Sequence, residues 1–235
     1  MNSGIVFLID VDNTLMDTDC FVADLHRHLD EKLGNDLAKR YWAIFDAQRC
    51  HNGYVDYLGS LQLLRRELEP NSDFNDEGLD IQGLQWISDF LIDYPFAERL
   101  YPQALDVLAH LGRFGQTVIL TDGDAVFQPR KVKRSGLWNA VDGKVLIYIN
   151  KERKLADVKR HYPAEQYVMI DDKLRILAVM KAAWGERVTT IFPRQGHYAH
   201  DPYYVAGLPA ADLTIEHIGE LTDHNFSKLL VRSPA

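Results

Sequence analysis

A mainly parallel α/β sheet covered by helices on both faces, with an all-helical segment inserted after the first strand, is the fold this sequence predicts. Three observations lead there. Short, continuous apolar runs recur along the chain, as expected of strands buried on both faces. Segments of helical periodicity lie between most of them, and strand–helix alternation favours a parallel sheet. The gap between the first two runs is too long for one crossover, and residues 17–99 show helical stripes without a convincing strand.

The first run is Gly4 to Asp10, Gly-Ile-Val-Phe-Leu-Ile-Asp. Four helical stripes follow. Phe21, Val22, Leu25, Leu29 and Leu33 form one, and Leu37, Tyr41, Ile44 and Phe45 the next. Tyr54, Tyr57, Leu58, Leu61, Leu64 and Leu68 form a third, and Pro70-Asn71-Ser72 breaks the pattern. Ile81, Leu84, Ile87, Phe90 and Leu91 form the fourth, and the insert closes near Pro95 to Pro102. Ala104, Leu105, Leu108 and Leu111 then predict a helix before the second strand, Thr117 to Thr121. Val145 to Ile149 is the third strand. Leu155, Val158 and His161 mark a helix before the fourth, Tyr167 to Ile170. Leu174, Leu177, Val179 and Met180 mark another helix, with Gly185 as its stop, before the fifth strand, Val188 to Phe192. Asp212 to Ile215 is a sixth candidate.

Composition narrows the function classes. The 235 residues hold 26 Lys and Arg against 34 Asp and Glu, a net charge of −8, with 46% hydrophobic residues. That mix excludes a disordered or fibrous chain. The acidic balance argues against nucleic acid or anionic membranes as partners. No stretch reaches the roughly 18 apolar residues of a membrane helix. The chain opens without a basic stretch ahead of an apolar run, so no secretory signal is expected, and a cytoplasmic location is. Cys20 and Cys50 are too few for a disulfide framework and are not spaced as a zinc site, so free thiols are expected.

The sharpest chemical feature is Asp10-Val11-Asp12-Asn13-Thr14 at the end of the first strand. Side chains alternate along an extended chain, so Asp10 and Asp12 start on one side. Sites in open parallel sheets form beyond the carboxyl ends of the strands. Two carboxylates close together repel unless a cation or a shared proton offsets them, and Mg²⁺ favours such oxygen ligands together with a phosphate. The same residues also suit a turn or the start of a helix.

This segment resembles the first motif of the haloacid dehalogenase superfamily, hydrolases built on an aspartate nucleophile. Ile119-Leu120-Thr121 resembles its second motif, Lys151 its third and Ile170-Asp171-Asp172 its fourth, in the right order along the chain. The resemblance implies a Rossmann-like core over residues 1–16 and 100–235 and a helical cap domain over 17–99. It implies that Asp10 is the nucleophile and Asp12 the general acid and base. Thr121 and the neighbouring backbone at Asp122 would bind phosphoryl oxygens, and Lys151 would neutralise charge on Asp10 and the phosphate. Mg²⁺ would be held by Asp10, the backbone carbonyl of Asp12, and Asp172. The substrate implied is a small phosphate monoester, hydrolysed through an aspartyl-phosphate. A phosphotransferase or phosphomutase, or a catalytically silent ligand-binding protein, is the alternative on the same scaffold.

Some residues depart from the family pattern. Lys173 follows the acidic pair where small polar residues are common, and Ile176 stands where a further acid is often found, leaving Asp171 to make any outer contact with the metal. Asp122 and Asp124 flank an anion site, so they are expected on the loop surface or bonded to backbone N–H groups. Lys154 competes with Lys151 for the third-motif role, and Lys151 lies nearer the end of its strand. Haloacid dehalogenases attack carbon and lack the second aspartate of motif one. Asp12 is present here, and a leaving alkoxide needs a proton where a halide does not. Arg49, His51 and Tyr54 lie at a junction in the insert, and an arginine there suits either a surface connector or a grip on a second anionic group. Arg194 and His197, in a polar loop after the fifth strand, suit either the site or a packing contact with the cap. The run Arg130, Lys131, Lys133 and Arg134 reads as a solvated helix face. His26 and His28 lack the spacing of a helical metal pair.

Overall fold

The computed structural model describes residues 4–52, 54–68 and 81–227. The expected break at Pro70-Asn71-Ser72 lies outside them. Six strands form one all-parallel sheet: β1 (Ile5–Ile9), β2 (Gln116–Asp122), β3 (Val145–Tyr148), β4 (Gln166–Ile170), β5 (Val188–Pro193) and β6 (Leu213–Ile215). Their order is β3-β2-β1-β4-β5-β6, with β1 central. This is a Rossmann-like arrangement, and it includes the sixth strand.

Alternation along β1 shows why its run is uninterrupted. Ile5, Phe7 and Ile9 belong to one apolar cluster and Val6 and Leu8 to the other, all of them fully buried. Each face therefore needs apolar side chains at every second position, and two buried faces need them at all positions. Strands β2 and β4 divide in the same way, with Ile119 and Ile170 on the first face and Leu120 and Met169 on the second.

Among the described residues, the insert after β1 holds four helices: α1 (Thr18–Leu33), α2 (Asn35–Asn52), α3 (Tyr57–Glu67) and α4 (Ile81–Asp93). Among the described residues of this stretch there is no strand. The apolar core runs unbroken from these helices into the first face of the sheet. Its seam is aromatic. Phe21, fully buried on α1, lies 5.3 Å from Tyr57, 5.4 Å from Phe96 and 5.7 Å from Phe127 between ring centroids.

Of the remaining helices the first leads into β2 and the others follow the later strands. They are α5 (Ala104–Leu111), α6 (Phe127–Arg134), α7 (Leu137–Ala140), α8 (Leu155–His161), α9 (Leu174–Trp184), α10 (Gly196–His200) and α11 (Pro202–Val205). Three of the expected inward positions face out. Leu105 is 44% exposed and Val179 39%, while Val107 and Ile176 are buried in their place, and His161 is exposed on α8. The helices are where periodicity put them, with the buried stripe rotated by a residue. Gly185, at φ 57°, ends α9 as expected. No described helix is long and apolar enough to cross a membrane, and Cys20 and Cys50 are free.

Phe21→Ala would open a cavity at the aromatic seam. The expected loss is about 3–5 kcal/mol, read as a lower urea midpoint at unchanged slope. A loss below about 1 kcal/mol would show that the seam does not tie the helices to the sheet.

Candidate active site

Register places the site. Ile9 of β1 lies opposite Ile119 of β2 and Ile170 of β4. One residue further on, Asp10, Leu120 and Asp171 stand level at the carboxyl edge, and the Asp10 N–H continues the ladder to the Ile170 carbonyl at 3.0 Å.

The chain then turns sharply. Asn13 adopts a left-handed backbone (φ 55°), and the N–H groups of Thr14 and Leu15 donate to the Val11 carbonyl at 3.3 and 3.0 Å. The Asn13 side-chain oxygen accepts from the N–H groups of Thr18 and Asp19 at 3.0 and 3.2 Å. The turn thus serves the start of α1, where Asp17 also accepts from the Cys20 N–H at 2.8 Å. Both readings of the motif hold at once, capping and site. Gly196 packs on this turn at φ 69°, where a Cβ would stand 2.4 Å from that of Asn13, so only glycine fits. Thr14 fastens the turn to the fourth-strand motif, its hydroxyl accepting from the Asp172 N–H at 3.0 Å.

Lys151 is 1% exposed and sits among acids. Its ammonium donates to Asp10 Oδ1 at 2.5 Å and to the Leu120 carbonyl at 3.1 Å, and pairs with Asp171 Oδ2 at 2.7 Å. Burial alone would lower its pKa, but Asp10, Asp171 and Asp122 hold it raised. Lys154 is exposed, so the lysine that reaches Asp10 is Lys151. Asp122 accepts from the Lys151 N–H at 2.7 Å, and Asp124 accepts from the N–H groups of Val126 and Phe127 at 2.8 and 2.7 Å. Both loop acids are bonded to backbone, as expected.

Asp10, Asp171 and Asp172 each offer a carboxylate oxygen within 4.8 Å of the others, all buried. Asp10 Oδ2 and both oxygens of Asp172 find no hydrogen-bond partner among the described residues. Burial raises the pKa of Asp10, with Lys151 opposing, and raises that of Asp172 well above the usual carboxylate range, with Lys173 opposing. With Asp12 and Asp122, five carboxylates face the ammonium groups of Lys131, Lys151 and Lys173. The excess is two negative charges. Orphaned hard oxygens with that imbalance fit a divalent cation such as Mg²⁺. Within this cluster Asp171 has Oδ2 on Lys151 and Oδ1 accepting from the Lys173 N–H at 2.8 Å, and the Asp12 carboxylate is not one of the three members.

The Asp12 carboxylate has its own holders. Oδ1 accepts from the Thr18 hydroxyl at 2.6 Å and pairs with the Lys131 ammonium, and Oδ2 accepts from the Gln128 carboxamide at 3.0 Å. Gln128 also donates to the Thr121 hydroxyl at 3.0 Å, tying the first and second motifs together. Burial would raise the Asp12 pKa, but Lys131 and Thr18 overrule it and hold it at about 2. Lys131 corrects the sequence reading. It is 2% exposed rather than solvated, because α6 turns it and Gln128 inward. Their three-residue spacing on one helix face, immediately after the second motif, was the available signal. Arg130 and Arg134 instead donate to the carbonyls of Ile92 and Asp93, both at 2.8 Å, at the end of α4.

A cavity of about 1020 Å³ leads from Asp12, Asp122 and Lys131 outward between α1, α2 and the loop after β5. Two contacts bridge its sides. Arg49 donates to the Tyr198 hydroxyl at 2.7 Å, and Asp19 accepts from the His197 N–H at 2.7 Å. Tyr54 also lines the cavity, whereas Arg194 pairs with Glu216 away from it. His26 stacks on Trp42 and His28 on Phe90, and neither belongs to the acidic cluster.

The central strand of a parallel sheet thus ends in an aspartate paired with a buried lysine, and comparison with known proteins names the class of hydrolase that shares this fold. A family model for haloacid dehalogenase-like hydrolases matches residues 6–183, and the chain belongs to that family. A haloacid dehalogenase-like hydrolase from Burkholderia xenovorans LB400 is 55% identical over 94% of this chain and 99% of its own, with a TM-score of 0.86. A family hydrolase from Xanthomonas campestris shares the fold at 18% identity, over 94% of this chain and 90% of its own, with a TM-score of 0.67. So does an L-2-haloacid dehalogenase from Xanthobacter autotrophicus at 18% identity over all of both chains, with a TM-score of 0.57. No curated protein matches the sequence.

Lys131→Met would strand a charged acceptor and lower stability by about 1–3 kcal/mol. The double variant Asp12→Asn with Lys131→Met is expected to recover part of that loss in chemical denaturation. Strict additivity would mean that the pair is not coupled.

Proposed function

We propose that the protein is a Mg²⁺-dependent phosphatase that hydrolyses a phosphate monoester through an aspartyl-phosphate on Asp10. The observation that carries this reading is the pairing of two sets of groups in one crevice. The orphaned oxygens of Asp10 and Asp172 suit a cation, and Asp12 stands apart from them on its own hydrogen bonds. Displacing halide from carbon calls for neither a cation nor a second carboxylate to move a proton, whereas phosphoryl transfer to water uses both.

In this scheme Asp10, Asp172 and the backbone carbonyl of Asp12 would hold Mg²⁺, which would supply positive charge against the negative charge of the phosphoryl group. Lys151 adds a positive charge beside Asp10 and takes up its Oδ1, leaving Oδ2 without a hydrogen-bond partner among the described residues. The Asp10 oxygen bonds to phosphorus as the ester P–O bond breaks, and the leaving oxygen becomes the alcohol by taking the proton of a monoanionic substrate, relayed through Asp12, which is ionised in the free protein. Asp12 then takes a proton from the water that attacks phosphorus. The bond to Asp10 breaks, inorganic phosphate departs, and both aspartates return to their starting forms. Thr18, Gln128 and Lys131 hold Asp12 in the ionised state that this second step requires. Thr121, with its hydroxyl steered by Gln128, binds a phosphoryl oxygen alongside the Asp122 backbone.

Phosphate release from a panel of monoesters with Mg²⁺ tests the reading. Asp10→Asn is expected to reduce it by at least about 10³-fold, and an equally fast variant would overturn it. Adding an alcohol acceptor separates the phosphotransferase alternative, since release to water is expected to exceed transfer.

The cation has a separate readout. Mg²⁺ is expected to raise the melting temperature of the parent protein and to leave that of Asp172→Asn unmoved. Asp172→Asn is also expected to be more stable than the parent without metal, because a buried unpaired carboxylate is removed.

A further inference from the structure

The cavity outside the phosphoryl site has a composition of its own. Eight Phe, Trp and Tyr side chains line it, among them Trp42 and Phe45 of α2, Tyr57 of α3, Phe127 of α6, Tyr198 of α10 and Tyr204 of α11. Part of this wall is packed into the core, since Phe45, Tyr57 and Phe127 are buried. The opposite part is not. Tyr204 is 37% exposed, and its ring meets that of Tyr198 at a centroid distance of 4.7 Å, nearly edge to face. Arrays of exposed aromatic rings on a concave surface are unusual in soluble proteins unless a ligand covers them.

Size points the same way. Ligand cavities span roughly 300–1,000 Å³, and this one, at about 1020 Å³, stands at the upper end. A phosphoryl group with a two- or three-carbon alcohol would fill a small part of it. The chamber opens directly off Asp12, the group assigned to protonate the leaving oxygen, so whatever fills it is attached to that oxygen. Two cations also engage this wall. Lys173 sits 4.8 Å over the Tyr198 ring, and Arg49 holds the hydroxyl of the same tyrosine.

We propose that this chamber is the leaving-group site and that it takes a planar aromatic ring, so the substrate class is phosphate monoesters whose alcohol carries such a ring. The proposal rests on the phosphatase reading for the attachment of the ring to phosphate, and on the chamber walls alone for the ring itself. Tyr198, Tyr204 and Trp42 all line the chamber that such a ring would enter. A saturated ring of equal carbon count buries similar apolar area but cannot stack.

Benzyl phosphate and cyclohexylmethyl phosphate make the comparison, because both release a primary alcohol and differ mainly in ring planarity. With Mg²⁺ present, kcat/KM for benzyl phosphate is expected to exceed that for cyclohexylmethyl phosphate by about tenfold, the upper range for an added aromatic contact. Tyr198→Leu and Trp42→Leu are each expected to bring the ratio toward one. Because the ratio is internal to each variant, a partly unfolded preparation does not distort it. Phosphate release at equal efficiency from both esters would overturn the ring proposal and leave the phosphatase reading standing. If neither ester nor any other releases phosphate, the phosphatase reading falls, and calorimetric binding of benzylphosphonate and cyclohexylmethylphosphonate decides the ring separately. Tighter binding of the benzyl compound by about tenfold supports it, and equal or absent binding overturns it.

Discussion

The arrangement of charge at the carboxyl edge of the sheet governs everything else in this molecule. Parallel register brings the ends of β1, β2 and β4 to one level, and the sequence puts an acid at or beside each end. Crowded carboxylates in a dry crevice are a liability in themselves. Lys151, Lys131 and Lys173 offset much of it, and each is placed by a different element: the segment after β3, α6 and the start of α9. What they leave uncompensated sits on Asp10 and Asp172, where a divalent ion has hard oxygens to meet.

The division of labour proposed for Asp10 and Asp12 rests on their surroundings rather than on their chemistry, which is identical. Asp10 keeps one oxygen on Lys151 and one free. Asp12, two residues on, has left the strand and entered a turn, and its oxygens meet Thr18, Gln128 and Lys131. A free oxygen beside a cation suits nucleophilic attack, and an oxygen held in hydrogen bonds suits the exchange of a proton. The turn that separates them is secured by Asn13, Thr14 and Gly196.

Much of this was legible in the sequence. The strands are buried on both faces, so they read as continuous apolar runs, and their ends located Asp10, Thr121 and Asp172. The helices were legible as elements and less so in phase. Leu105 and Val179 look as apolar as Val107 and Ile176, and only the neighbouring sheet decides which of them turn inward. Lys131 was hidden for a related reason. A short basic run reads as a wet face, and the acid that draws one of its members inside lies 119 positions away. The bond between Arg49 and Tyr198 spans 149 positions and leaves no local trace.

Gln128 links the two halves of the chemistry through a single carboxamide, with one hydrogen on Asp12 and the other reaching Thr121. In the proposed mechanism, the hydroxyl that receives a phosphoryl oxygen and the carboxylate that serves the departing one are therefore held at a common span by one side chain.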